Sequence, residues 1–307
     1  MASMAAARKK LNLDNMDFIL NLASWILIYS ILTVSMNFLI GYLGILYLAH
    51  PAIYGIGAYT YAILTTSHDW SFLSATLAAG FVSMLAAFIL SLPAMKLRSH
   101  FVGMATLGFL FVTNGIFYNW RSVTRGGLGI PGIPRPEIFG ISMNTNLSFF
   151  LMTLVISFLC CFIMYRILHS PWSKAVETIR EDETAAQTVG KNSYKTKIQA
   201  FLICGFFGGI GGALMASYIG FINPASFAIQ ELIVIIAGVI IGGLASFWGS
   251  IIGAIFIVLA PGLLRFLDLP PEILGSLRHG IYGMILILFM LFKPTGILGK
   301  RTNVFSK

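Results

Sequence analysis

Charged residues punctuate this chain instead of alternating with apolar ones. No Asp, Glu, Lys or Arg occurs from Phe18 to His68, Ser71 to Met95, Ser99 to Trp120, Ile138 to Tyr165, Ile198 to Gln230, Leu232 to Leu264 or His279 to Phe292. A helix rises 1.5 Å per residue and needs about 20 residues to cross the hydrocarbon core. The first window is long enough for two crossings. Residues 198–267 are expected to hold three, broken near Asn223-Pro224 and at the Ser246–Ser250 turn, and the last span starts near Ile273, with Arg278 and His279 snorkelling toward an interface. The pattern predicts an all-α, polytopic transmembrane helical bundle of about 8–10 crossings with at least one broken or re-entrant helix.

The basic residues test the orientation. Placing the N-terminus, 95–100, 166–197 and the C-terminal tail inside collects 15 of the 20 Lys and Arg, and leaves Arg121, Arg125, Arg135, Arg265 and Arg278 outside, as the positive-inside rule asks. One conflict stands. From a cytoplasmic N-terminus, residues 18–66 must cross an odd number of times, yet they read as two helices. Either the N-terminus is outside, or Pro51 makes the second stretch enter and return, or three short pieces span. The boundaries are an N-terminal tail over 1–17, a first transmembrane part over 18–168, a polar loop over 169–197, a second transmembrane part over 198–293 and a tail over 294–307.

Composition narrows the class. Apolar residues make up 57% before the 31 glycines are counted, and charged residues only 10%, against about 25% charged in soluble domains. Such a chain cannot cover a soluble surface, which excludes a cytosolic enzyme, a nucleic-acid-binding domain and a disordered chain, and leaves an integral membrane protein with the lipid bilayer as its partner. The net charge of +9 sits in connections and tails. Cys160, Cys161 and Cys204 lie in apolar stretches without disulfide or metal-ligand spacing. Arg8-Lys9-Lys10 precede a stretch too long for a signal peptide. Gly208, Gly212, Ala216 and Gly220 recur every four residues, and Gly238/Gly242 and Gly249/Gly253 repeat the spacing, which predicts close helix packing.

The polar loop carries the strongest functional signal. Ser170-Pro171 is a helix start. Trp172, Ala175, Val176, Ile179, Ala186 and Val189 fall near one face, with Lys174, Glu177, Arg180, Glu181 and Glu183 over the rest. Gly190 is a C-terminal stop. Either this is a solvated connector, or a short amphipathic helix whose apolar stripe docks into a soluble partner. The chain has no GxxxxGK[ST] loop, since Gly299-Lys300-Arg301 lacks the spacing and the hydroxyl, so ATP-driven work must come from another polypeptide. No catalytic constellation, metal site or cofactor site is visible, and the reading is of a transport subunit and not an enzyme.

Candidates for the cargo path are fewer. His50-Pro51 interrupts an apolar run, and proline at membrane depth frees backbone groups that protein or a wet cavity must satisfy; the alternative is a kink with His near an interface. Glu231 is the only acid between Ile198 and Leu264, which marks it either as path lining or as a residue near the outer interface. Thr106, Asn114 and Asn37 are further polar candidates. The Gly- and Pro-rich Arg125–Pro136 stretch reads as an ordered external loop.

The run AVETIREDETAAQTVGKNSYKTKIQAFLICGFFGGIGGAL resembles the cytoplasmic loop and following helix of bacterial branched-chain amino-acid ABC permeases. So do GYLGILYLAHPAIYGIGAYTYAIL, TRGGLGIPGIP, FINPASFAIQELIVIIAGVIIGGLASFWGSIIGA and LFKPTGILG, in the family's order across most of 41–299, and the resemblance is to the M-type rather than the H-type subunit. The resemblance implies a bacterial inner-membrane, multi-pass subunit with alternating access. Its implied partners are a second, related permease subunit, two ATP-binding subunits and an extracytoplasmic substrate-binding protein; the 125–136 loop is then either part of the dock for that protein or a plain rigid connector. Residues 174–190 then correspond to the ATPase-coupling EAA loop, with Trp172, Val176, Glu177, Ile179, Arg180, Glu181, Asp182, Glu183, Ala185, Ala186 and Gly190 as its expected coupling residues; Thr184 stands where the motif has Glu. The implied cargo is leucine, isoleucine or valine. Related permeases carry urea, amides or other amino acids, and an ion-coupled secondary carrier is a third class, disfavoured by the scarcity of intramembrane ionisable groups.

Overall fold

The computed structural model describes residues 2–97, 99–138, 140–262, 271–293 and 295–299, without the side chains of 2–15, 99–100, 138, 141, 262, 271–279, 281 and 290. Arg265 and the side chains of Arg278 and His279 therefore lie outside the described residues.

Helices α1 (Ala2–Asn37), α2 (His50–Ser67), α3 (Phe72–Ala94) and α4 (Ser99–Asn119) fill the first half. A short α5 (Arg121–Thr124) opens the loop that holds β1 (Ile130–Pro131), β2 (Glu137–Ile138) and β3 (Ile141–Ser142), and α6 (Asn146–Leu168) follows. The polar loop forms α7 (Pro171–Glu181) and α8 (Glu183–Thr188). The second half is α9 (Ser193–Ile219), β4 (Phe221–Ile222), α10 (Ile229–Gly242), α11 (Phe247–Gly262) and α12 (Pro271–Phe292). Among the described residues six helical stretches are long and apolar enough to cross a membrane: Met16–Tyr42, Phe72–Ala94, Phe101–Asn119, Asn146–Leu168, Ser193–Ile219 and Pro224–Gly242. The apolar helix Phe247–Pro261 is shorter, so the described residues show six such stretches where eight to ten crossings were expected. The fold is the all-α bundle the sequence predicts.

α9 is the central post, packed along both α2 and α3. Its glycines make this possible, although not on the single stripe expected. A Cβ on Gly212 would land on the Tyr54 carbonyl of α2, and one on Gly205 or Gly209 would land on α3 at Ala87 or Ser83. Two glycine faces therefore seat two helices. Gly220 belongs to neither face: it ends α9 in the left-handed region at φ 72°. The Gly238/Gly242 and Gly249/Gly253 pairs face each other across α10 and α11, where a Cβ on Gly242 would overlap the Gly249 carbonyl.

The two ends of the bundle are distinguishable. Phe38, the residue after α1, lies beside the α7–α8 loop, stacked on Trp172 with centroids 5.7 Å apart. At the other end, Asn21 of α1 accepts a hydrogen bond from Tyr218, near the end of α9. Residues before Asn21 thus lie toward the face opposite α7 and α8. This selects the first of the three options for residues 18–66, an N-terminus across from the polar loop. It also moves Arg8, Lys9 and Lys10 out of the loop-side group, so the basic bias of that side is weaker than the sequence count gave. Residues 2–17, expected as a tail, continue α1 as helix; the full 36 residues measure about 54 Å at 1.5 Å per residue, well beyond a ~30 Å hydrocarbon core.

Candidate functional site: coupling face and membrane breaks

α7 begins as the sequence predicts, with Pro171 in its first turn, where the missing N–H costs nothing. Ser170 occupies the N-cap position, yet its hydroxyl donates back to the Ile167 carbonyl at 2.7 Å instead of capping. Asp182 separates α7 from α8: its Oδ1 accepts from the backbone N–H of Thr184 at 2.9 Å and Ala185 at 3.0 Å. Gly190 follows α8 at φ 79° and Asn192 caps α9 through the Lys195 N–H. The loop thus satisfies its own helix ends.

Apart from Val189, the apolar stripe does not face outward. Ala175, Val176, Ile179 and Ala186 are buried in this chain's own bundle. Trp172 is half-buried, stacked on Phe38 and donating its indole N–H to Gln199 at 2.8 Å. The reading of the whole stripe as a docking surface is corrected accordingly: an amphipathic helix lying on a bundle end turns its apolar side to that bundle. What the loop offers a partner is the other side, with exposed Lys174, Thr178, Glu181, Asp182, Glu183 and Ala185, half-buried Glu177, and Val189 at 71% exposure. Gly190 is exposed as well.

Arg180 ties this loop to α1. Its Nη1 donates to the Gly41 carbonyl at 2.5 Å. Gly41 sits in a single π-helical turn, Phe38–Tyr42, the kind of local underwinding that interrupts a regular helix. Gly44 adopts φ 73°, and a Cβ there would come within 2.8 Å of the Arg180 Cγ, so glycine is required twice over. Burial lowers the Arg180 pKa from its ordinary value, with Glu177 and Glu181 acting in the opposite direction. Beside it, Lys197 and Glu183 pair at 2.6 Å.

Three irregular segments interrupt the bundle: 43–49 before α2, 223–228 before α10 and 243–246 before α11. Each leaves backbone groups outside a regular helix ladder that need partners, and each is met by a polar side chain from another helix. Thr106 of α4 accepts from the Leu48 N–H at 3.1 Å. Asn114 of α4 donates to the Pro224 and Phe227 carbonyls at 3.3 and 3.1 Å. Asn37 of α1 donates to the carbonyls of Gly243 and Ser246 and to Ser250 Oγ at 3.2, 3.1 and 2.7 Å, while its Oδ1 accepts from the Ala245 N–H at 3.2 Å. The second break was expected at Ser246–Ser250; it falls just before, and Ser250 already lies within α11.

The same logic revises His50 and Pro51. Pro51 starts α2 at its first turn and does not break it; the break precedes it. His50 is fully buried, with Nε2 3.3 Å from Ser35 Oγ and Nδ1 3.6 Å from Cys204 Sγ. It joins α2 to α1 and α9 and lies away from any interface. Glu231, in the first turn of α10, accepts from the Tyr29 hydroxyl of α1 at 2.8 Å. On the face opposite α7 and α8, the Gly- and Pro-rich loop is ordered: β1 pairs antiparallel with β4, the Ile133 N–H bonds the Gly220 carbonyl, and Leu128 projects at 85% exposure.

Residues 18–291 match the family described as branched-chain amino acid transport system / permease component. The chain belongs to that family. It is a multi-pass membrane permease component, similar to the high-affinity branched-chain amino acid transport system permease protein LivM of Salmonella typhimurium (30% identical over 91% of this chain and 69% of that protein) and of Escherichia coli K12 (31% over the same shares). It also resembles LivH of Salmonella typhimurium, described as a permease protein of the same kind of system, at 25% identity over 89% of this chain and 91% of that protein. No solved structure matches it. Similarity to both proteins implies that a permease of this family has a related permease as partner.

In this permease the sequence reading did not anticipate Gly41, Gly44, Gln199 or Tyr29 as partners of the candidate residues. A signal existed for Gly44, in the GYLG run that precedes an apolar stretch. Nothing local marked Gln199 or Tyr29, whose contacts span 27 and 202 residues.

Proposed function

We propose that this chain is the membrane subunit of an ATP-driven importer of branched-chain amino acids in the bacterial inner membrane. It works by alternating access with a related permease subunit, two separate ATP-binding subunits and an extracytoplasmic binding protein. The observation that carries the reading is the α7–α8 loop: a charged, locally capped surface element without any nucleotide-binding motif, seated directly on the end of α1. Similarity to named branched-chain amino acid permeases supports the cargo.

The contact surface for the ATPase is the exposed side, Lys174, Glu181, Asp182, Glu183, Ala185, Val189 and Gly190, while Trp172, Val176, Ile179, Arg180 and Ala186 seat the loop on the bundle. Displacement of the loop passes to Phe38 through Trp172 and to Gly41 through Arg180. Asn37, next to Phe38, passes it to the α10–α11 turn. Thr106, Asn114, His50, Pro51 and Glu231 hold the broken segments that rearrange during transport. The 125–136 loop with exposed Leu128 meets the binding protein on the opposite face.

The test replaces Arg180 by Met in the reconstituted transporter. Uptake of leucine per ATP hydrolysed falls, while the ATPase subunits still bind. Unchanged coupling in Arg180→Met, with uptake intact, contradicts the proposed route.

A further inference from the structure

A pocket of about 260 Å³ lies beneath the coupling loop. Its walls come from three parts of the chain: the break before α2, the end of α3 with Met95, Leu97 and Val102, and α7–α8 with the start of α9. Among the described residues, Leu43, Met95 and Val102 supply apolar wall, Arg180 and Lys197 the cations and Glu183 the carboxylate. The volume falls below the ~300–1,000 Å³ of sites for drug-sized ligands and suits a molecule of amino-acid size. The charges are arranged for a ligand with both signs. Arg180 spends one N–H on Gly41 and, as a guanidinium, has five. Lys197 is mostly buried at 18% exposure, and its partner Glu183 is the more exposed at 45%.

We propose that this pocket binds a zwitterionic, apolar amino acid from the loop side. Its carboxylate lies between Arg180 and Lys197, its ammonium on Glu183, and its side chain on the Leu43, Met95 and Val102 wall. The proposal rests on the amino-acid importer reading above, and gives that reading a regulatory site. A ligand there bridges the coupling loop to the segment before α2, so it opposes movement of one against the other. Accumulated cargo then slows its own import.

The experiment uses the complete transporter in proteoliposomes, with ATPase subunits and unlabelled amino acid enclosed and binding protein with labelled leucine outside. The quantity read is the ratio of uptake with and without the enclosed compound, taken separately for each variant. Enclosed leucine lowers wild-type uptake roughly fivefold, the lower end of ordinary allosteric coupling. Enclosed leucinamide, which lacks the carboxylate, and 4-methylpentanoate, which lacks the amine, leave it unchanged. Leu97→Trp, which fills the rim of the pocket, and Lys197→Gln each bring the ratio back toward one. Uptake that is intact but indifferent to enclosed leucine overturns the proposal. So does inhibition that persists in both variants, or inhibition that follows the phosphatidylethanolamine content of the vesicle and not leucine, which assigns the pocket to a lipid headgroup. Absence of any leucine uptake by the wild type is a different result: it removes the importer reading, and the amino-acid ligand with it.

Discussion

The α7–α8 loop and the three breaks in the bundle solve the same problem in opposite ways. Both are departures from continuous helix, and both leave backbone N–H and C=O groups to be satisfied. In the loop the solutions are local. Asp182 caps the helix that starts at the next residue, Asn192 caps α9 three residues on, and Gly190 closes α8. In the breaks the solutions come from 58 to 209 residues away, through Thr106, Asn114 and Asn37. Exposed backbone in the loop can bond water when a partner is lost, whereas a buried group cannot. An exposed residue of the loop such as Lys174 or Val189 can therefore serve a partner, and a polar residue at a break is committed to the fold.

That difference ranks the effects of substitution. Asn37→Ala strands the Ala245 N–H and removes the donor to two carbonyls and Ser250, at a cost on the order of 3–5 kcal/mol for several buried unsatisfied groups. The expected outcome is a permease that no longer survives purification in detergent, read by size-exclusion profile. Asn114→Leu loses two bonds to one short segment and costs about 1–3 kcal/mol, read as a lowered unfolding temperature of the purified complex. Thr106→Val keeps the shape and leaves only the Leu48 N–H unpaired, at about 1–2 kcal/mol. The loop behaves otherwise. Val189→Asp places a charge at a 71% exposed apolar position, leaves thermal stability within about 0.5 kcal/mol as exposed sites do, and weakens ATPase association. Asp182→Ala costs about 1 kcal/mol through the lost cap, a local loosening visible as faster amide exchange over Glu183–Thr188. A Val189→Asp protein that unfolds early, or an Asn37→Ala protein that stays intact, breaks the contrast.

The sequence displayed one of these regions better than the other. The windows without charge, the Pro171 start, the Gly190 stop and the α10–α11 glycine pairs are all local patterns, and they appear in the structure where they were expected. The orientation of the α7 stripe was not legible, because periodicity defines a face and does not say whether a soluble partner or the chain's own bundle covers it. Thr106, Asn114 and Asn37 stood out as isolated polar residues in apolar windows. Their bonding to breaks far along the chain depends on which helices become neighbours, and no spacing in the sequence records that. Pro51 misled for a related reason: proline marks an interruption, and the same residue serves both a kink and a helix start.

The central claim is that the exposed side of α7–α8 is gripped by ATP-binding subunits from the cytoplasm. Its most direct test is Val189→Cys in a chain whose Cys160, Cys161 and Cys204 are replaced, treated with a membrane-impermeant thiol reagent. The account predicts no labelling from outside intact cells, labelling of inverted vesicles stripped of ATPase subunits, and protection when those subunits are added back. Labelling from outside, or labelling that added ATPase subunits leave unchanged, contradicts it.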